Sequence, residues 1–242
     1  MSARRLGPGW VPNQHGAWAM LASPLLVGVL AGGAAWVHVP LTLFWFAGYF
    51  AFFATSLWLK SGRRAKWWPP VRFHAALSLG LGALTALLRP DLLRWAPLFL
   101  VPLAVGLYAA AHRHERDLLV GLTTVVGSAL MTVVAYDAGA GGSLHRAWLL
   151  ALVQLLYFAG TVFYVKSVIR ERGNRRFLAL SVTFHALTAA ALLPVSLWLS
   201  LVFALLTVRA AYVPRLGPSP RQIGLGEVLA TVVVAVVSLL VT

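Results

Sequence analysis

Nine long apolar segments divide this chain of 242 residues, and their length is the strongest constraint on its fold. A helix needs roughly 20 apolar residues to cross the core of a bilayer, where only helices or closed barrels satisfy their backbone polar groups. Runs of this length are too long for barrel strands. The sequence therefore predicts an all-α polytopic membrane protein with one helical membrane domain over residues 1–242. The predicted spans are about 16–37, 41–59, 73–88, 95–111, 118–136, 147–168, 177–193, 195–213 and 223–241.

Composition supports a lipid environment. Hydrophobic residues make up 60% of the chain and charged residues 11%, against about 25% charged in a soluble domain. The net charge of +14 would suit nucleic acid, but the basic residues lie at the ends of the spans, where they contact anionic head groups. Membrane lipids are therefore the expected partners, and nucleic acid is not. The sequence contains no cysteine, so disulfides and thiolate metal sites are excluded.

The basic residues also predict the orientation of the chain. With the N-terminus inside, seventeen of the twenty Lys and Arg residues fall on one side of the membrane. The three exceptions are Arg89, Arg94 and Arg146. Because Lys and Arg near span ends are retained in the cytoplasm, this asymmetry predicts a multi-pass protein of the cytoplasmic membrane with a cytoplasmic N-terminus.

Two clusters of basic residues are candidates for anion binding, one after the second span and one after the sixth. Arg presents parallel N–H donors that suit phosphate oxygens, and Lys supplies a point charge. The alternative is that the clusters only mark topology and contact head groups. The candidate residues are Lys60, Arg63, Arg64, Lys166, Arg170 and Arg172.

A few other polar residues are candidates for chemistry. His15 and Glu115 are candidate acid–base or orienting groups, while no pair of carboxylates has the spacing of a metal site, so we expect neither metal nor cofactor. Polar groups within spans are costly and require a reason. They either line a cavity or make hydrogen bonds inside the bundle, and for the histidines a proton relay or a haem ligand is also open. These residues are His74, Gln154, Tyr157, Tyr164 and His185.

The N-terminal run Pro12-Asn13-Gln14-His15-Gly16-Ala17-Trp18-Ala19-Met20 resembles the signature of the YwiC-like bacterial membrane proteins. The segments Glu115–Leu119 and Lys166–Arg172 are consistent with that family. The resemblance covers nearly the whole chain. It implies a bacterial membrane protein and no particular reaction.

The layout of nine helices also resembles the UbiA-type intramembrane prenyltransferases, which implies a UbiA-like bundle. In that family, Asp-rich motifs after helices two and six bind Mg²⁺ and, through it, a prenyl diphosphate. The corresponding positions here are basic, among them Lys60, Lys66 and Lys166. The resemblance therefore implies direct contact with an anionic head group without metal.

Three hypotheses about function follow. The first is a protein that binds an amphipathic anion, such as an isoprenoid or lipid phosphate, in a cavity facing the cytoplasm. The second is a transporter of a small anion or metabolite, and the third is an assembly factor for a respiratory enzyme. The sequence leaves open whether the protein is an enzyme; if it is, a metal-independent transferase acting on a lipid-like substrate is expected. It predicts no oligomeric state.

Overall fold

The computed structural model describes residues 9–12, 15–139 and 142–242, and within these ranges it contains nine α-helices and no strand. Two short 3₁₀ helices, Ala65–Trp67 and Pro90–Trp95, precede α3 and α4. The α-helices are α1 (His15–Gly32), α2 (His38–Lys60), α3 (Trp68–Leu88), α4 (Ala96–His112), α5 (Leu118–Ala138), α6 (Leu144–Ile169), α7 (Arg175–Leu192), α8 (Leu197–Leu216) and α9 (Pro220–Val241).

Most of these helices have the length and hydropathy of membrane spans. Seven of them meet both requirements, and α1 is a shorter apolar helix. α7 begins with Arg175 and Arg176 and packs along α6 and α8. Large apolar side chains are exposed on the outer surface of the bundle, as lipid contact requires. The all-helical, multi-pass membrane architecture predicted from the sequence is confirmed.

α5 and α6 form the centre of the bundle. About half of an 18-residue apolar stretch in each is buried inside the protein (50% and 56%), against 17–22% in the five other long apolar helices. α1 packs against both of them. α4 and α2 contact α5, and α3 packs against α2, while α7, α8 and α9 are grouped around α6.

Two glycines bring α1 close to α5. A Cβ added at Gly28 would lie 2.7 Å from the Cβ of Ala135, and one added at Gly32 would lie 2.7 Å from the Cα of Tyr136. The glycines are four residues apart, so both face α5, and small residues at this spacing allow helix backbones to approach closely in lipid. These two glycines therefore allow the close contact between the α1 and α5 backbones.

Arginines on the side opposite the basic loops hold the end of α5. Arg89 donates hydrogen bonds to the backbone oxygens of Asp137 and Ala138, both at 3.0 Å. Arg94 forms an ion pair with the Asp137 carboxylate, 2.6 Å from Oδ1, and Trp95 donates to Oδ2 at 2.8 Å. The last carbonyls of a helix have no partner within it, so Arg89 caps α5, while Arg94 and Trp95 hold the side chain of its Asp137. Two of the three basic residues that depart from the charge asymmetry thus have a structural role.

Several helices begin or end a few residues away from the predicted spans. α3 begins at Trp68, five residues before the predicted start, because Pro69 and Pro70 suit the first turn of a helix. α7 and α8 are separate helices with a turn over residues 193–196, and the Ser196 hydroxyl accepts a hydrogen bond from the amide of Leu199.

Gly32→Ala is expected to destabilise the protein by about 1–3 kcal/mol, because an added methyl group forces the α1 and α5 backbones apart. Thermal unfolding in detergent measures this as a lower Tm. Gly80→Ala on α3 is the matched control, since no described atom lies within 4 Å of the added Cβ. Equal Tm values for the two variants would contradict the close contact.

Candidate functional site

An ion pair between Arg209 of α8 and Glu227 of α9 lies within the membrane-spanning part of the bundle. The Nη1 atom of Arg209 is 2.7 Å from Oε1 of Glu227, and the two side chains are only 18% and 12% exposed. Each residue lies seven positions from the end of its helix at the connecting turn. At 1.5 Å per residue, the pair is about 10 Å inside the bundle.

Side chains of α6 fix the Glu227 carboxylate. Thr161 donates a hydrogen bond to Oε2 at 2.7 Å, and the Tyr157 hydroxyl lies 3.3 Å from the same atom. That hydroxyl is also 3.0 Å from the backbone oxygen of Glu227 and 3.0 Å from Oγ1 of Thr231. The carboxylate is therefore held by helices on both sides of it.

The Arg209 guanidinium is only partly satisfied. One face lies over the ring of Tyr164, with its central carbon 4.3 Å from the ring centroid, and Nη1 is used by Glu227. Nε and Nη2 are buried and have no hydrogen-bond partner among the described residues. These two atoms form one edge of the planar group, whose parallel N–H donors match the two oxygens of a carboxylate or phosphate. We call Nε and Nη2 the free edge of Arg209.

A cavity of about 350 Å³ adjoins this guanidinium and reaches the turn between α8 and α9. Arg172, one of the predicted anion-binding residues, stands beside that turn: a Cβ added at Gly217 would lie 2.7 Å from its Nη2. Gly217 has a φ of 63°, which suits glycine in the turn and leaves space for Arg172. The lining residues are Tyr164, Arg209, Val213, Leu216, Gly217, Pro218, Gln222, Ile223 and Gly226.

His185 belongs to α7 and lies against α6, the helix that carries Tyr157 and Tyr164. It is 2% exposed, and its Nδ1 is 2.7 Å from the backbone oxygen of Ser181. Its Nε2 stands over Gly160, where an added Cβ would lie 2.8 Å away. Three residues predicted to line a cavity, Tyr157, Tyr164 and His185, therefore lie around one stretch of α6, next to Arg209 and Glu227.

The two other predicted cavity residues lie elsewhere. Gln154 is fully buried and accepts a hydrogen bond from Ser23 of α1 at 2.9 Å, while its Nε2 has no described partner. His74 belongs to α3, on the opposite side of the bundle, and its Nε2 is 3.1 Å from the backbone oxygen of Trp10. His74 thus ties the N-terminal segment to α3.

The two basic clusters meet at the loop between α4 and α5. Lys60 forms an ion pair with Glu115, and Lys166 donates to the backbone oxygen of Arg116 at 3.1 Å. α2 and α6, which carry Lys60 and Lys166, do not contact each other.

The remaining candidates stand at the surface. Arg63, Arg64 and Arg170 are exposed, and the Arg63 guanidinium lies 5.9 Å from the Trp58 ring. His15 begins α1, but its side chain lies outside the described part of the chain. Among the residues that the structure describes, no three His, Asp or Glu side chains are grouped closely enough to hold a metal ion.

Arg209 and Glu227 were not among the predicted site residues, although the sequence contains a signal for them. Both fall inside predicted spans, 195–213 and 223–241, and they stand at equal distances from the turn that joins those spans. Opposite charges at equal depth in two consecutive helices predict an ion pair, because a charge within a membrane needs a partner. The charge asymmetry counts Arg209 among the cytoplasmic basic residues, and that assignment hides its position inside a span opposite Glu227.

Comparison with known proteins relates the chain to one family. The family model described as YwiC-like protein matches residues 11–136. The chain is 34% identical to the uncharacterized protein YwiC of Bacillus subtilis over 178 residues, which is 73% of this chain and 74% of that protein. It is 31% identical to an uncharacterized protein of Haemophilus influenzae over 241 residues, which is 96% of this chain and 98% of that protein.

No solved structure matches the chain, so the likeness to a UbiA-type bundle stays a prediction. The matches to the family model and to both bacterial relatives agree with the resemblance of the N-terminal signature. This multi-pass membrane protein belongs to the YwiC-like family.

Proposed function

We propose that this protein binds an amphipathic anion, of the class of isoprenoid or lipid phosphates, with the head group on the free edge of Arg209. The observation that carries the proposal is a partly buried arginine that lines a cavity and has two buried donors without a partner among the described residues. Leaving a buried donor without a partner costs about 1–3 kcal/mol. An oxyanion would satisfy both donors at once, whereas Arg172 stands farther out, beside the α8–α9 turn.

The apolar surroundings favour a ligand with a hydrocarbon chain. The cavity walls include Val213, Leu216 and Ile223. A larger groove of about 800 Å³ runs along the same two helices, and its α8 side includes Leu205 and Val208, adjacent to Arg209 in the helix. A chain lying in that groove would keep its head group at Arg209.

The basic loops support a cytoplasmic opening of this cavity in a bacterial cytoplasmic membrane. The cavity reaches the α8–α9 turn, near Arg215 and Arg221. An excess of Lys and Arg marks cytoplasmic loops. The head group of a lipid in the inner leaflet would then approach Arg209 from the cytoplasmic side.

A transporter of a small anion is the second candidate. The observation that favours it is the ion pair held about 10 Å inside the bundle, since ionisable residues within a membrane often mark ion pathways. This reading needs no hydrocarbon chain on the ligand. The two candidates therefore differ in whether a chain is required for binding.

Arg209→Gln is expected to weaken the binding of decanesulfonate by about 10- to 100-fold, as loss of a charge-assisted bidentate contact requires. The dissociation constant is measured by titration calorimetry on protein purified in dodecyl maltoside. Arg209→Lys keeps a charge for Glu227 but removes the parallel donors, so it should also bind weakly while remaining folded. Arg215→Gln, an exposed arginine of the same helix, is the matched control and should bind like the wild type.

Two further ligands separate the candidates. Decanol has the chain without the charge, and methanesulfonate has the head group without the chain. Weak binding of both supports an amphipathic anion, whereas tight binding of methanesulfonate favours the transporter. Equal affinity of the wild type and Arg209→Gln for decanesulfonate would contradict the site itself.

The orientation predicts the behaviour of reporter fusions. Alkaline phosphatase, which is active only outside the cytoplasm, should be active when fused after Thr242 and inactive in the loop at Arg63, because nine crossings place the C-terminus opposite the basic loops. A fluorescent protein at the same two positions should give the converse pattern. Activity of alkaline phosphatase at Arg63 would contradict the proposed orientation.

A further inference from the structure

We propose that binding of the anion at Arg209 is coupled to the uptake of one proton by Glu227. The inference rests on the proposed function, because it concerns the same free edge of Arg209. The inference adds a proton as a second ligand of that site, taken up together with the anion. The proton comes from water at the cytoplasmic end of the cavity, and no bond of the ligand is made or broken.

The charges around the pair require this coupling. Without ligand, one buried cation faces one buried anion, 2.7 Å apart. A bound oxyanion on Nε and Nη2 would leave two negative charges on a single guanidinium. In a poorly solvated site such an uncompensated charge is strongly unfavourable, and protonation of one of the two anions neutralises it. The net charge of the site then stays unchanged when the ligand binds.

Glu227 is the group suited to take the proton. The titratable groups that face it are Tyr157 and Tyr164 from α6 and Arg209 from α8, with His185 of α7 beyond Gly160. α1 also packs against α9, but its residues 16–32 include no titratable side chain. Tyrosines are neutral near neutral pH, and a cationic His185 would add a second positive charge near Arg209.

The hydrogen bonds around Glu227 suit the neutral acid as well as the carboxylate. Thr161 donates to Oε2, and this bond is retained when a proton is placed on Oε1. Protonation therefore leaves Glu227 hydrogen-bonded.

The sign of the pH dependence follows. Because a proton is bound together with the ligand, affinity rises as pH falls, by about tenfold per pH unit where the coupling is complete. Decanesulfonate is the probe, since a sulfonate stays ionised over this range and cannot take the proton itself. Glu227→Gln imitates the protonated acid, so it should bind the probe tightly and with little dependence on pH.

Calorimetry of the wild type tests the coupling without a mutation. The binding enthalpy in Bis-Tris and in Tris, which differ in ionisation enthalpy and are not anions, should differ by the amount for one proton taken up. His185→Gln is the control and should keep the pH dependence of the wild type. A Glu227→Gln protein that also kept it, or a His185→Gln protein that lost it, would overturn the assignment to Glu227.

The outcomes distinguish the two proposals. Binding of decanesulfonate by the wild type without proton uptake would overturn the coupling and leave the anion site standing. Failure of the wild type to bind the probe would overturn both.

Discussion

The ion pair between Arg209 and Glu227 is the interaction on which the candidate site depends. A single charge about 10 Å inside the bundle would be too costly to keep, and the pair removes most of that cost. Part of that cost remains, because Glu227 contacts only one nitrogen of the Arg209 guanidinium. Tyr164 covers one face of Arg209, and the remaining edge has no described partner. The proposed ligand-binding group is thereby held in place before any ligand arrives.

The architecture of the bundle explains why this pair is well positioned. α6 is buried along about half its length, so its side chains are fixed by packing rather than by lipid. From this helix Tyr157 and Thr161 hold Glu227, and Tyr164 supports Arg209. α8 and α9 supply the charges, and both are largely exposed to lipid. The site therefore combines a rigid polar wall with an open, apolar one, which is the combination that an amphipathic ligand needs.

The sequence predicts the helices well because the apolar length of a span is a local property. It also indicates the polar stretch of α6, since Tyr157 and Tyr164 interrupt an apolar segment there, as His185 does in α7. What it cannot supply is the rotation of one helix against another. That rotation turns Gln154 toward Ser23 of α1 and leaves an edge of Arg209 without a partner. The pairing of Lys60 with Glu115 likewise depends on where the α4–α5 loop lies, which no spacing in the chain specifies.

Native mass spectrometry of gently extracted protein, with identification of what it retains, tests the central claim most directly. The account predicts one anionic lipid of a single type per protein, retained by the wild type and by Arg215→Gln and absent from Arg209→Gln. Bulk phospholipid alone, bound equally by all three proteins, would contradict it.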